Sequence, residues 1–201
     1  MCTRTRRRSL TPVLSWLLLA AVPCAAEAAS GVDPREGRNG VAIAAEKAEP
    51  THRPIVILDQ VTDPQNVGAV LRSAAVFGAR AVIVTRRNSP PITGALAKAA
   101  SGAVEQMPLV QVPNVAQAIA VLQAEGWFAV GLEGTAEKTL PDIDLTGRIA
   151  VVLGSEGAGL RRLTAERCDV LAKISGEPGF ASLNVSNATA VALYEIHRQR
   201  R

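Results

Sequence analysis

The sequence predicts an α/β domain with a mostly parallel sheet and helices on both of its faces. Short runs that are apolar at every position alternate with segments whose apolar residues recur at helical spacing. Continuous apolar runs indicate strands buried on both faces, as in parallel sheets. With 48% hydrophobic and 20% charged residues, the composition fits a packed core and excludes general disorder.

The first strand and helix begin this alternation. Residues 55–58 form a wholly apolar run, and Asp63 with Pro64 then supplies an N-cap and a first-turn proline. Apolar residues follow at helical spacing up to Phe77, and Gly78 ends the helix. The later elements are predicted in this order: a strand at 81–84, a helix from Asn114 to Glu125, a strand at 128–130, a strand at 149–153 and a helix from 185 to about 198.

Residues 1–53 differ from the domain at 54–201 and are predicted to be a poorly ordered basic and apolar segment with a linker. Arginines at 4–8, an apolar run at 13–22 and small residues at 24–29 follow the order of a secretory signal. The run is too short for a membrane span, which needs about 20 apolar residues. Three interpretations stay open: an export signal, a basic arm, or a translation start placed upstream of the real one.

Charge and metal-ligand content narrow the classes of function. The net charge of +4 weakly favours a polyanionic partner. The 3 cysteines and 2 histidines show no metal-ligand spacing, so no metal is predicted, and a histidine-centred triad has few residues to draw on.

Three polar segments follow predicted strands or enter helices, and open α/β sheets bind ligands at such positions. Asn66 and Arg72 lie six residues apart on the first helix, and the apolar neighbours of Arg72 make a structural salt bridge or a snorkelling arginine the competing interpretation. Glycines at 154, 157 and 159 allow close backbone approach but match neither a dinucleotide nor a phosphate loop. Residues 182–188 are also suited simply to capping the last helix.

In this order and spacing, the three segments together resemble the three motifs of the SpoU (TrmH) family of ribose 2′-O-methyltransferases, in the SPOUT superfamily. The resemblance covers residues 54–201, and the flanking sequence looks most like the branch that modifies a guanosine of large-subunit ribosomal RNA. The matching positions are Asn66, Gly68 and Arg72, then Gly154, Glu156, Gly157 and Gly159, then Ser182 to Ser186.

The resemblance implies a C-terminal trefoil knot, an S-adenosylmethionine cofactor and a homodimer that binds RNA at its subunit interface. In the family, the knot loops hold the cofactor largely through backbone contacts. A metal and a stable membrane association are not expected. The implied cofactor-binding residues are Gly154, Ile174 and Leu183, together with the backbone of Gly157 and Ser182.

The implied reaction moves a methyl group from a sulfonium to a ribose hydroxyl, which is a poor nucleophile until it loses its proton. The family proposal makes Arg72 the general base, yet a guanidinium is effectively always charged. Arg72 is equally suited to binding the neighbouring phosphate and stabilising alkoxide charge. Asn66, Glu156, Asn184 and Ser186 are expected to position the ribose and Arg72, with Glu156 as a partner for the arginine.

Two departures from the family pattern bear on the cofactor and the RNA. Relatives usually have I-P-M-x-G where this sequence has Ile-Ser-Gly-Glu-Pro-Gly at 174–179, which predicts a more flexible loop and weaker cofactor binding. The ribosomal branch generally carries an N-terminal RNA-binding domain. Residues 39–43 look like the remnant of its connector, but the residues before them do not resemble that domain.

The target is therefore open between 23S ribosomal RNA, the leading hypothesis, and transfer RNA. A catalytically degenerate RNA-binding paralogue is the alternative to an active enzyme. A cytoplasmic location is expected, because export would separate the enzyme from its RNA and its methyl donor.

Overall fold

The computed structural model describes Val41 and residues 52–177 and 183–201. The strands are β1 (Ile55–Leu58), β2 (Ala81–Thr85), β3 (Leu109–Val112), β4 (Phe128–Leu132), β5 (Lys138–Thr139), β6 (Ile149–Leu153) and β7 (Val170–Lys173). The helices are α1 (Pro64–Val76), α2 (Gly94–Ala100), α3 (Ala103–Gln106), α4 (Val115–Ala124), α5 (Arg162–Arg167) and α6 (Val185–Gln199), with a 3-10 helix at Leu140–Asp142.

The strands form a seven-stranded sheet in the order β3-β2-β1-β6-β4-β7-β5. Every pairing in it is parallel. All residues of β1, β2 and β6 are buried, because these strands lie inside the sheet and helices cover both faces. The predicted α/β class, with its mostly parallel sheet, is thus confirmed. The predicted trefoil knot depends on how the chain passes through residues 178–182, which lie outside the described residues, so it stays a prediction.

Side chains of the central strands alternate between two apolar cores. Val56 and Leu58 of β1 belong to the core covered by α1, α2, α3 and α6, whereas Ile55 and Ile57 belong to the core covered by α4. This period of two follows from strand geometry. Val41 is buried in the second core, so one residue of the predicted 39–43 connector packs against the domain.

The capping residues predicted for two helices perform that role. The Asp63 side chain accepts a hydrogen bond from the backbone N–H of Gln65 at 2.9 Å, and Pro64 occupies the first turn of α1. The Asn114 side chain accepts from the backbone N–H of Gln117 at 3.3 Å at the start of α4. Local hydrogen bonding therefore sets where both helices begin.

Gly68 has a packing role. A Cβ at this position would lie 2.6 Å from the carbonyl oxygen of Leu96 and 2.7 Å from Cβ of Ala99. Glycine at this motif position therefore lets α1 approach α2 closely.

No described helix is both long enough and apolar enough to span a bilayer.

Candidate active site at the carboxyl edge of the sheet

The three polar segments meet in one hydrogen-bonded network. Asn66 donates from Nδ2 to Oε1 of Glu156 at 3.0 Å. Asn184 donates from its own Nδ2 to Oδ1 of Asn66 at 3.0 Å and to Oε1 of Glu156 at 2.5 Å. Ser186 donates to Oδ1 of Asn184 from its hydroxyl at 2.6 Å and from its backbone N–H at 2.9 Å. Direct hydrogen bonds thus join four of the predicted site residues.

The sheet topology brings these residues together. Asn66 lies in the first turn of α1, which follows β1, and Glu156 lies in the loop that follows β6. Since β1 and β6 are parallel neighbours, their carboxyl ends share an edge of the sheet. Asn184 is the N-cap of α6, which packs beside α1. The strand order changes direction at β1 and β6, and open α/β sheets bind ligands at such a point.

The network leaves one carboxylate oxygen available. Both amide donors bind Oε1 of Glu156, while Oε2 has no hydrogen bond from any residue that the structure describes. Glu156 is exposed, whereas Asn66 is buried. The buried asparagine therefore fixes an exposed carboxylate, which can accept a hydrogen bond from a ligand hydroxyl.

Arg72 does not join this network. Its side chain is exposed, and within residues 52–177 and 183–201 it forms no hydrogen bond or ion pair. The expectation that Glu156 is its partner was wrong within this chain. Six residues of helix rotate the side chain by about 240° from Asn66, so the two residues point in different directions. The described residues give Arg72 no ion pair, which contradicts the competing interpretation of a structural salt bridge, whereas its exposed side chain is compatible with a snorkelling arginine.

The glycine-rich loop after β6 is a tight backbone turn. A Cβ on Gly154 would lie 2.1 Å from both the carbonyl carbon and the oxygen of Gly159. Gly159 donates its N–H to the carbonyl of Ser155 at 2.9 Å, and Gly157 has a φ of +82°. Only glycine fits at 154, so the turn presents main-chain groups at the sheet edge.

The predicted cofactor-binding residues lie on neighbouring loops. Gly154 and Gly157 follow β6, Ile174 follows β7, and these strands flank β4 on its two sides. Ile174 packs against the first core, and Leu183, before α6, is exposed. Ser182 lies outside the described residues. Backbone groups from a glycine turn beside two aliphatic side chains fit a nucleoside cofactor, whose polar edge and apolar ring face need both.

A buried acidic residue of the site escaped the sequence analysis. The carboxylate of Asp59 is fully buried and accepts from Nε of Arg161 at 2.8 and 3.1 Å, and from the hydroxyl of Thr164 at 2.6 Å. These bonds tie the end of β1 to the segment after the glycine turn. An aspartate placed directly after an apolar run was the available signal, since an acid buried there needs a partner.

Arg161→Met is expected to destabilise the domain by about 3 kcal/mol, because it leaves the buried Asp59 carboxylate without its cation. Urea denaturation would measure the loss. Arg162→Met is the matched control, because Arg162 forms an ion pair with Glu166 between largely exposed side chains, worth about 0–1 kcal/mol. The double variant Asp59→Asn/Arg161→Met should recover part of the loss. Equal stabilities of the two single arginine variants would contradict the prediction.

The described cysteine is unsuited to nucleophilic chemistry. Burial, followed by the charges of Asp169 and Asp59, raises the pKa of Cys168 to about 12. Its Sγ lies 3.3 Å from the carbonyl oxygen of Thr164, which accepts its hydrogen bond. The thiol is therefore protonated at neutral pH and is a poor nucleophile.

The part of the chain that the structure describes contains no group of three or more His, Cys, Asp or Glu residues placed to hold a metal ion.

Comparison with known proteins agrees with this geometry. The chain is 52% identical over 146 residues to the 23S rRNA (guanosine-2′-O-)-methyltransferase RlmB of Coxiella burnetii, and the match covers 73% of this chain and 58% of that protein. The chain thus spans less than two thirds of that relative's length. The SpoU methyltransferase AviRb from Streptomyces viridochromogenes, in complex with the cofactor AdoMet, superposes with a TM-score of 0.70 at 28% identity, covering 76% of this chain and 62% of that one.

A third match is a structure concerned with the 2-OH methylation of C/U34 on tRNA. It has a TM-score of 0.65 at 28% identity and covers 74% of this chain and 96% of that one. The model of the SpoU rRNA Methylase family matches residues 53–194, which include all three polar segments. The chain belongs to the SpoU rRNA Methylase family.

Proposed function

We propose that this domain transfers the methyl group of S-adenosylmethionine to a ribose 2′-hydroxyl of RNA, with a guanosine of 23S ribosomal RNA as the target. The network that joins Asn66, Glu156, Asn184 and Ser186 carries the proposal. It assembles all three family motifs at one sheet edge, beside a turn suited to holding a nucleoside. The 52% identity to a 23S rRNA guanosine methyltransferase supports the choice of target.

The proposed cofactor site consists of the loops after β6 and β7 and the segment before α6. Gly154 and Gly157 supply main-chain groups, and Ile174 and Leu183 supply apolar contacts. The proposal also includes the Ser182 backbone. Once bound, the cofactor supplies an electrophilic methyl group. The chain then has to orient the ribose hydroxyl and stabilise the charge that develops on its oxygen.

In the proposed mechanism, Oε2 of Glu156 accepts a hydrogen bond from the ribose, and Asn66 and Asn184 hold that carboxylate in place. Ser186 fixes the amide of Asn184. As the oxygen takes the methyl group, the hydroxyl proton passes to Oε2 of Glu156, while Arg72 binds the adjoining phosphate and stabilises the negative charge that develops on the oxygen. The exposed guanidinium is suited to this role, because it has no partner to give up among the described residues.

We further propose that the active form is a homodimer in which Arg72 completes the partner's site. Val76 is 72% exposed and lies one helical turn from Arg72, so the two share a face of α1. Tyr194, 56% exposed, and Val191 are exposed apolar side chains of α6, which packs against α1, and the Tyr194 ring lies 6.3 Å from that of Phe77 at the end of α1. An interface on this face carries Arg72 toward a second protomer. A cytoplasmic location is part of the proposal, since the RNA and the methyl donor are found there.

Calorimetric titration of the purified chain with S-adenosylmethionine, without RNA, is the first test. Binding at one site per chain with a Kd of about 1–100 μM is expected, a weak value because Ser175 and Gly176 loosen the loop. The second step is methyl transfer to a 23S ribosomal RNA transcript, followed by digestion and identification of a 2′-O-methylguanosine. Transfer to transfer RNA alone would favour the tRNA alternative that the third structural match suggests. RNA binding with no cofactor binding would establish a degenerate paralogue.

A further inference from the structure

Arg86 is partly buried at the ligand edge of the sheet, and two of its guanidinium nitrogens have no partner. Arg86 directly follows β2, and its backbone N–H donates to the carbonyl of Val112 at 2.8 Å. Its Nε and Nη2 are both inaccessible to solvent and have no hydrogen-bond partner. Arg86 as a whole is partly exposed, but buried donors without partners are costly, and each one in a native structure calls for an explanation such as a ligand.

Other arginines of the described region satisfy their guanidinium groups within the fold. Arg161 and Arg198 bind carboxylates, and Arg53 and Arg200 bind backbone carbonyls. Among the residues that the structure describes, the unpartnered buried side-chain nitrogens belong to Arg86. This contrast makes Arg86 a candidate contact for a group from outside the fold.

The backbone beside Arg86 is held in an unusual conformation. Gln60 after β1 and Asn88 after β2 both have left-handed backbones, with φ of 62° and 68°. Nδ2 of Asn88 donates to Oε1 of Gln60 at 2.6 Å, which joins the two loops. Non-glycine residues in this region carry strain and cluster at ligand sites. The Asn88–Gln60 hydrogen bond thus holds the loop that contains Arg86 against the loop after β1.

The strand order places Arg86 on the side of the site away from the proposed cofactor loops. Leu58 pairs with Val84, so Gln60 and Arg86 each stand two residues beyond a matched pair at the same edge. β2 lies on one side of β1, whereas β6, β4 and β7 with the proposed cofactor loops lie on the other. The Asn66–Glu156–Asn184 network extends from α1, after β1, to the loop after β6. An anion at Arg86 is thus separated from the cofactor by the residues proposed to hold the ribose.

We propose that Arg86 binds a phosphodiester of the substrate RNA, adjacent to the target ribose on the side away from the cofactor. Nε and Nη2 are closed to solvent in the free protein, so the partly exposed side chain has to turn toward the RNA, where its guanidinium offers two parallel donors to phosphate oxygens that a lysine cannot reproduce. The role rests on the proposed function and adds to it a second anchor for the RNA, distinct from Arg72.

The test compares the full chain with Arg86→Gln, Arg86→Lys and Arg80→Gln in filter binding to a 23S ribosomal RNA transcript over a range of salt concentrations. Arg80→Gln is the matched control, since it removes the same charge at the opposite end of β2. Arg86→Gln should weaken binding about 10-fold and lower the salt slope by about 0.7–0.9. Arg86→Lys should recover the slope but only part of the affinity. Arg80→Gln should stay within about 2-fold of the wild type.

Two further measurements distinguish RNA binding by Arg86 from a structural role and from cofactor binding. Arg86→Gln should raise the thermal midpoint of the free protein, because it removes two unsatisfied buried donors, whereas loss of a structural arginine would lower that midpoint. Its affinity for S-adenosylmethionine should not change. A lowered midpoint with unchanged RNA binding would overturn the inference, and so would a loss of cofactor affinity, which would identify the cofactor carboxylate as the anion.

The wild-type chain distinguishes failure of this inference from failure of the proposed function. Methyl transfer by the wild type together with unaltered RNA binding by Arg86→Gln overturns the Arg86 site alone. RNA binding that depends on Arg86 without any methyl transfer supports the site and rejects the activity. A wild type that does not bind the transcript overturns both.

Discussion

Arg72→Ala is expected to lower the rate of methyl transfer by about 10²–10³-fold, as loss of a group that stabilises developing oxyanion charge does. The stability of the fold should not change, because the side chain is exposed and has no partner among the described residues. Arg72→Lys should be almost as slow, since an ammonium cannot replace a planar two-donor group. Rates measured with labelled S-adenosylmethionine and saturating RNA would test this. Full activity in Arg72→Ala would exclude Arg72 from the mechanism.

Mixing two inactive variants would reveal which protomer Arg72 serves. If Arg72 completes the partner's site, co-expressed Arg72→Ala and Glu156→Ala chains form mixed dimers that contain one intact site. With random pairing, about a quarter of the wild-type activity returns. If Arg72 serves its own protomer, each site lacks one of the two groups and no activity returns. Each variant alone is the control.

Gly154→Ala is expected to have the largest effect on cofactor binding. The new Cβ would overlap the backbone of Gly159 at 2.1 Å and the amide nitrogen of Leu160 at 2.4 Å. Backbone atoms cannot rotate away as a side chain does, so the turn has to open and lose the Gly159–Ser155 hydrogen bond. Overpacking of this kind costs about 1–3 kcal/mol of stability. If the turn forms the cofactor pocket, affinity for S-adenosylmethionine should fall by about 100-fold, equivalent to about 2.8 kcal/mol.

Gly147→Ala is the matched control for this variant. Gly147 precedes β6, at the opposite end of the strand from Gly154, and a Cβ there would meet nothing within 4 Å. Its stability should equal or slightly exceed that of the wild type, because alanine restricts the unfolded chain. Urea denaturation and calorimetric titration on both variants would make the comparison. Equal cofactor affinities would show that the Gly154 turn is not part of the pocket.

The strands at the centre of the sheet could be predicted from short stretches of sequence alone. The runs at 55–58, 81–84 and 149–153 became central strands, because a segment that is apolar at every position is stable only when buried on both faces. The apolar pattern of the sequence does not predict β3, β5, β7, α2, α3 and α5. These elements are short, partly exposed or at the margin of the sheet, so the apolar pattern that would mark them is weak.

The site likewise contains residues that were predicted from the sequence and contacts that were not. The family resemblance identified Asn66, Glu156, Asn184 and Ser186, which the fold joins by hydrogen bonds. Their roles in the reaction stay predictions. The expected Arg72–Glu156 pair is not formed among the described residues of one chain, because apolar neighbours in sequence do not bury a side chain whose helix face points to solvent. Asp59 and Arg86 show the converse, since their burial depends on strands and loops distant in sequence.

By itself, the sequence determined the α/β class, the strands of the sheet centre, two helix starts and the membership of the site network. These properties depend on residue type and short-range spacing. Only the tertiary structure decided which side chains are buried, which are paired and which face solvent. Asn66 and Asn184 are 118 residues apart and yet share a hydrogen bond. Such contacts are made by strand order and helix docking, and no local pattern specifies them.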